Sequence, residues 1–87
     1  MVPSMLSRVN KDLRKFDKGR VDRFESKLAE LSKPLHPIGY KHLANADGYF
    51  RLVCGDDRVI YRVDNGVPVI VMVGHRRDVY ARFGRWV

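Results

Sequence analysis

Cysteine is nearly absent from this sequence: Cys54 stands alone among 87 residues, so no internal disulfide closes the chain. The three histidines, His36, His42 and His75, are scattered with no cysteine beside them, which excludes the ligand spacing of a structural zinc site. No metal and no cofactor is expected. Low-complexity tracts are missing too, and the longest apolar run, Val67 to Val73, is far too short to cross a bilayer. The N-terminus lacks the apolar block of a secretory signal, so a cytoplasmic protein with no membrane partner is expected. Acidic residues are scarce, 10 Asp and Glu against 17 Lys and Arg, for a net charge of +7. The excess sits at the two ends, +4 over residues 1–36 and +3 over residues 74–87, with residues 37–73 neutral. Such an imbalance points to an anionic partner.

What is present suffices for one small core. A hydrophobic content of 45% with 10% aromatics supports a single domain over residues 1–87 rather than a basic disordered tail. Leu6, Val9, Leu13 and Phe16 recur at helical steps, which puts Arg8, Lys11, Asp12 and Lys15 on the wet side. Gly19 interrupts this pattern; Val21, Phe24, Leu28 and Leu31 then repeat it, and Ser32 to Pro37 holds two prolines that end it. From Tyr49 the period changes to strand: Tyr49 to Cys54, Arg58 to Val63 and Val67 to Val73, separated by Gly55-Asp56-Asp57 and Asp64-Asn65-Gly66. Asn65-Gly66 predicts a type I′ hairpin turn. Val67 to Val73 is apolar on both alternating faces, so it belongs inside the sheet, with Pro68 at its start. The expected fold is α+β: a helical hairpin packed on a twisted antiparallel sheet of three to four strands, then a short C-terminal helix carrying Val79, Phe83 and Trp86. Residues 1–6 are the candidate fourth strand, and residues 38–48 form an irregular connection able to carry function.

Three groups of residues carry candidate chemistry. Gly74-His75-Arg76-Arg77-Asp78-Val79-Tyr80 leaves an apolar strand with two guanidiniums, an imidazole and a phenol; it is either a site or a solvated basic turn with Tyr80 at the core edge. Arg58 and Arg62, with Ile60 between them, share one strand face. That face is either ordinary and solvated or an anion-binding surface, which Arg51 on the neighbouring strand would extend. Lys11, Arg14, Lys15, Lys18, Arg20, Arg23 and Lys27 decorate the helices, either as solubilising charges or as a phosphate-tracking surface. Cys54, His36 and His42 are read as structural.

In four blocks, the chain resembles the RelE/ParE toxin superfamily on its RelE side: Lys11-Asp12-Leu13-Arg14-Lys15-Phe16, Tyr49-Phe50-Arg51-Leu52, Gly55-Asp56-Asp57-Arg58-Val59-Ile60-Tyr61-Arg62-Val63 and Val73-Gly74-His75-Arg76-Arg77-Asp78-Val79-Tyr80. The resemblance implies a RelE-like microbial RNase-type fold and a type II toxin: a metal-independent endoribonuclease that cuts mRNA in the A site of the 70S ribosome by 2′-hydroxyl attack, stopping translation and growth. It implies a cognate acidic, RelB-like antitoxin in a heterotetramer or larger assembly. Carried over by position, Arg58 binds the scissile phosphate, Arg76 stabilises the transition state or protonates the leaving oxygen, and Tyr80 stacks on a base. Arg51, Arg62, Arg77, Lys11 and Lys15 are then RNA-binding. Val53 and Asp57 depart from the family pattern, where a second basic residue and often a tyrosine stand, and His75 is the substitute candidate for the proton acceptor. The alternatives are a ParE-like gyrase inhibitor and a catalytically inactive RNA-binding module on the same scaffold.

Overall fold

In the computed structural model, which describes residues 3–31, 40–44 and 46–87, the chain runs β1 (Ser4–Met5), α1 (Arg8–Leu13), α2 (Lys18–Leu31), β2 (Lys41–His42), β3 (Tyr49–Cys54), β4 (Asp57–Asp64), β5 (Val67–His75) and α3 (Val79–Trp86). The strands form one sheet in the order β1-β5-β4-β3-β2. The expected α+β layout of two N-terminal helices, a meander and a closing helix is present. The sheet, however, is mixed and five-stranded, because β1 pairs parallel to β5, with Ser4 opposite Val69 and Met5 opposite Ile70. Pro3 lies just outside that two-residue pairing, so its missing N–H costs the ladder nothing. The connection expected over residues 38–48 includes β2, antiparallel to β3. The Ser32 to Pro37 helix end and His36 lie outside the described residues.

The helical segments begin and end for local reasons. Gly19 does not interrupt a helix: α2 starts at Lys18, because the Asp17 carboxylate accepts the Arg20 N–H at 2.9 Å and caps the first turn. Helix α1 closes at Leu13, so Phe16 packs from the turn rather than from the helix. Asn65 at φ 51° and Gly66 at φ 78° make the tight β4–β5 turn through two positive-φ residues, as a type I′ hairpin requires.

Two cores flank the sheet. On one side α1 and α2 cover Phe50, Leu52, Cys54, Val59, Tyr61, Ile70 and Val73 with Val9, Phe24 and Leu31. On the other, Val79 and Phe83 of α3 cover Ile60, Val69, Val71 and Met72. Strand β5 is accordingly buried on both faces, as its apolar run predicts. A bulge sets which residue faces which core. Ile60 pairs with Met72 and Tyr61 with Ile70, leaving Val71 unpaired, so beyond it Val73 faces the helical hairpin and Gly74 faces α3.

Burial also tunes two core side chains. The Cys54 thiol is pushed up, first by desolvation and then by Asp57. Tyr61, fully buried, is pushed up to about 12, mainly by desolvation. An unfolded Tyr61 ionises near pH 10 while the folded one stays neutral, so this residue's contribution is intact below pH 10 and is lost as pH rises toward 12. Two pK units correspond to roughly 2–3 kcal/mol. Denaturant melts of wild type and Tyr61→Phe between pH 9 and 12 are expected to show the steeper alkaline loss only in the wild type.

Candidate active site

The sheet end where β3 turns into β4 gathers the charged groups. Arg58 pairs in register with Val53 on β3 and Gly74 on β5, and its Nη1 donates to the Gly55 carbonyl at 3.1 Å and the Asp57 carbonyl at 2.9 Å. The same turn receives the other arginine: the Arg76 N–H donates to the Asp56 carbonyl at 2.9 Å, and Arg76 Nε lies 3.9 Å from Asp56 Oδ1. The Gly55-Asp56-Asp57 segment therefore holds the Arg58 guanidinium and the Arg76 backbone. Arg58 is half-buried and Arg76 exposed, so both reach solvent from a backbone-anchored base.

Arg51 joins Arg58 on the α3 side of the sheet, two pairs along, opposite Ile60. Arg62 shares that face but sits four residues from Arg58, about 13 Å along the strand, and binds Asp64 at 2.9 Å. Hydrogen bonds to Asp64 and then Tyr49 push the Arg62 guanidinium further up. Tyr80, 40% exposed, also belongs to this side, where it lines a groove of about 340 Å³ with Leu43, Ala44, Ala46, Phe83, Gly84 and Val87.

His75 points the other way. It pairs with Asp57, whose carboxylate is buried on the helical-hairpin side, and it lines a cleft of about 230 Å³ there with Lys15, Phe16 and Arg20. Its Nδ1 accepts the Arg77 N–H at 3.1 Å, which orders the turn into α3. Arg77, Lys11 and Lys15 are exposed, and Lys15 lines the His75 cleft. His75 and Arg58 thus stand on opposite sides of the sheet.

Two ion pairs, which residue spacing does not reveal, support this arrangement. Asp57, the departure beside Arg58, is buried and accepts two bonds from Arg20, 3.0 Å from Nε and 2.6 Å from Nη2. The hydrogen bond to Asp57 is the leading cause that pushes the Arg20 guanidinium up, and its plane lies over the Phe16 ring at 3.7 Å. Arg20 is thereby a tether from α2 to the first residue of β4, not one more solvated helix charge. Asp12, expected on the wet side of α1, is buried as well. Beyond the two-residue β1, the edge of β5 has no strand beside it among the described residues; Asp12 Oδ2 accepts the Val73 N–H at 3.3 Å and Asp12 Oδ1 accepts Arg82 Nη1 at 2.8 Å. Arg82 Nη2 in turn donates to the Val73 carbonyl at 3.2 Å. A carboxylate and a guanidinium so take the place of a neighbouring strand. Gly74 is what lets Arg82 cross there, since a Cβ at that position would collide with the guanidinium.

Comparison with known proteins matches this geometry to a defined group. A family model described as the ParE toxin of the type II toxin-antitoxin system, parDE, matches residues 5–80. The chain is 30% identical to one in the RelBE2 toxin-antitoxin complex from Mycobacterium tuberculosis, over 90% of this chain and 97% of that one, with a TM-score of 0.67. It has the fold of the RelB-RelE antitoxin-toxin complex from Methanococcus jannaschii, at 18% identity, 92% and 98% coverage and a TM-score of 0.77. The isolated RelE toxin of E. coli has the same fold, at 20% identity, 98% and 96% coverage and a TM-score of 0.71. No curated relative matches the sequence.

Proposed function

The chain belongs to the RelE/ParE superfamily of type II toxins, on its RelE-like side, and from that premise we propose that it is a ribosome-dependent, metal-independent endoribonuclease cutting mRNA in the A site. The observation that carries this reading is the pair of guanidiniums, Arg58 and Arg76, held on one β3–β4 turn. Cleavage forms a bond from the ribose 2′-oxygen to phosphorus and breaks the bond to the 5′-oxygen, so negative charge accumulates on the phosphoryl oxygens before the leaving group departs. Two fixed cations at that point stabilise the transition state more than the substrate. Arg58 grips the phosphate; Arg76, more exposed, stabilises the same charge or protonates the leaving oxygen. Tyr80 offers its ring to a base beside this face, and Arg51 extends the phosphate track.

The hydroxyl proton needs an acceptor, and His75 faces the opposite side of the sheet. Asp56 supplies a carboxylate within the arginine cluster, 77% exposed at its side chain, and in this reading it takes the proton. Asp56→Asn is expected to lower single-turnover cleavage on programmed ribosomes by about 10²-fold with ribosome binding unchanged; equal losses in both would remove Asp56 from the chemistry.

An antitoxin of RelB-like acidic character is the proposed protein partner, since RelB and YefM are the antitoxins seen with the structurally similar toxins. A cytoplasmic site of action and a heterotetrameric or larger complex belong to the same reading. The ParE-like alternative, poisoning of gyrase without cleavage, is favoured by the description of the matching family model. Primer extension on message from cells expressing the protein separates the two. Cuts confined to translated frames support the nuclease, whereas a DNA-damage response with intact message supports gyrase inhibition.

A further inference from the structure

Two buried side-chain nitrogens, Arg8 Nε and Arg82 Nε, find no hydrogen-bond acceptor among the described residues. Both arginines line the same opening of about 370 Å³, together with Arg85 and Trp86. Arg82 Nε does lie 3.5 Å from Asp78 Oδ2, and its other nitrogens are spent on Asp12 and Val73. Among the described residues, Arg8 and Arg85 have no carboxylate partner. The Arg8 guanidinium stacks on Trp86 at 5.2 Å, and Trp86 is 37% exposed, its edges met by Tyr49 and Phe83. A buried N–H without an acceptor is costly, and three guanidiniums with one aromatic ring around a single opening favour an anionic occupant. Nothing in the lining is acidic.

We propose that Arg8, Arg85 and Trp86 form a second nucleic-acid site, where α1 begins and α3 ends, that grips an RNA phosphate and stacks a base on the indole, with Arg82 adding positive charge from its clamped position. Arginine forks match phosphate oxygens in a bidentate way, and an aromatic ring beside them is the element that a purely carboxylate-binding patch does not need. The site is separate from the Arg58–Arg76 turn and binds without cutting, so it supplies affinity for RNA whatever happens at the turn.

Trp86 is the protein's only tryptophan, so its emission reads this site directly. Titration of the full chain with decauridylate is expected to quench Trp86 saturably, with an affinity that falls as salt rises. Arg8→Gln with Arg85→Gln is expected to weaken binding at least tenfold and to lower the salt slope by about 1.4, at about 0.7 per phosphate contact for a single strand. Arg58→Ala is expected to keep the Trp86 response. Circular dichroism establishes that the double variant is folded; should it fail to fold, the wild-type quench alone decides. The proposal is overturned if decauridylate binds, by anisotropy of a labelled strand, without changing Trp86 emission. It is equally overturned if the folded double variant binds within twofold of wild type, or if decaglutamate quenches Trp86 and decauridylate does not.

Discussion

Arg58→Ala is expected to cut message cleavage by about 10²–10³-fold, the usual cost of removing one preorganised donor from a developing oxyanion, and to let cells grow on induction. The fold should survive. Arg58 gives two hydrogen bonds to carbonyls of its own turn, both at the solvent boundary, so their loss costs about 1 kcal/mol. Arg76→Ala should reproduce the loss of cleavage with even less effect on stability, because the bond from Arg76 to the Asp56 carbonyl is made by its backbone N–H and persists in alanine. The measurement is primer extension beside a thermal melt for each variant. Undiminished cleavage by both variants, at wild-type melting temperature, sinks the assignment of the turn as the phosphate site.

The second large effect is on stability. Asp12→Ala is expected to destabilise the protein by about 3 kcal/mol, because it leaves the Arg82 guanidinium and the Val73 N–H without their common acceptor in a largely dry position. For a domain of this size that is a fall in melting temperature of roughly 10–20 °C. The partner's removal separates charge from packing. Asp12→Leu combined with Arg82→Met leaves no unpaired charge and should lose less than Asp12→Leu alone. If the double variant is instead as unstable as the sum of the two single ones, the carboxylate and guanidinium do not act as a pair.

Local signals carried most of the architecture. Helical periodicity, the Asn65-Gly66 turn and the unbroken apolar run of β5 each report short-range physics, so they could be read along the chain. Asp17, which caps α2 through the Arg20 N–H, was passed over because the glycine between them suggested a break. What could not be read depended on distant partners. Asp12 and Arg20 look like ordinary solvated helix charges until α3 and β4 bring Arg82 and Asp57 against them. The facing of His75 turned on the unpaired Val71: an alternating strand without a bulge would put Val69, Val71, Val73 and His75 on one side, whereas the bulge moves His75 away from Val69 and Val71. Arg58 and Arg76 were nominated from residue pattern, yet only the turn geometry shows that one short loop anchors both. Val53 and Asp57 looked like losses from the site; Asp57 is the buried anchor of the residue next to it.

The clamp on the edge of β5 also bears on how the molecule comes into being. Asp12 and Val73 are 61 residues apart in the chain, and Asp12 and Arg82 are 70 apart. A chain growing from its N-terminus can form α1, α2 and the β3–β4 hairpin early, since their contacts are short-range. Its exposed strand edge, with the Val73 carbonyl unmet, stays open until Arg82 has been made and has swung across Gly74. Open edges of this kind recruit other strands, so the interval between synthesis of residue 73 and docking of α3 is the stage at which this protein is most prone to aggregate.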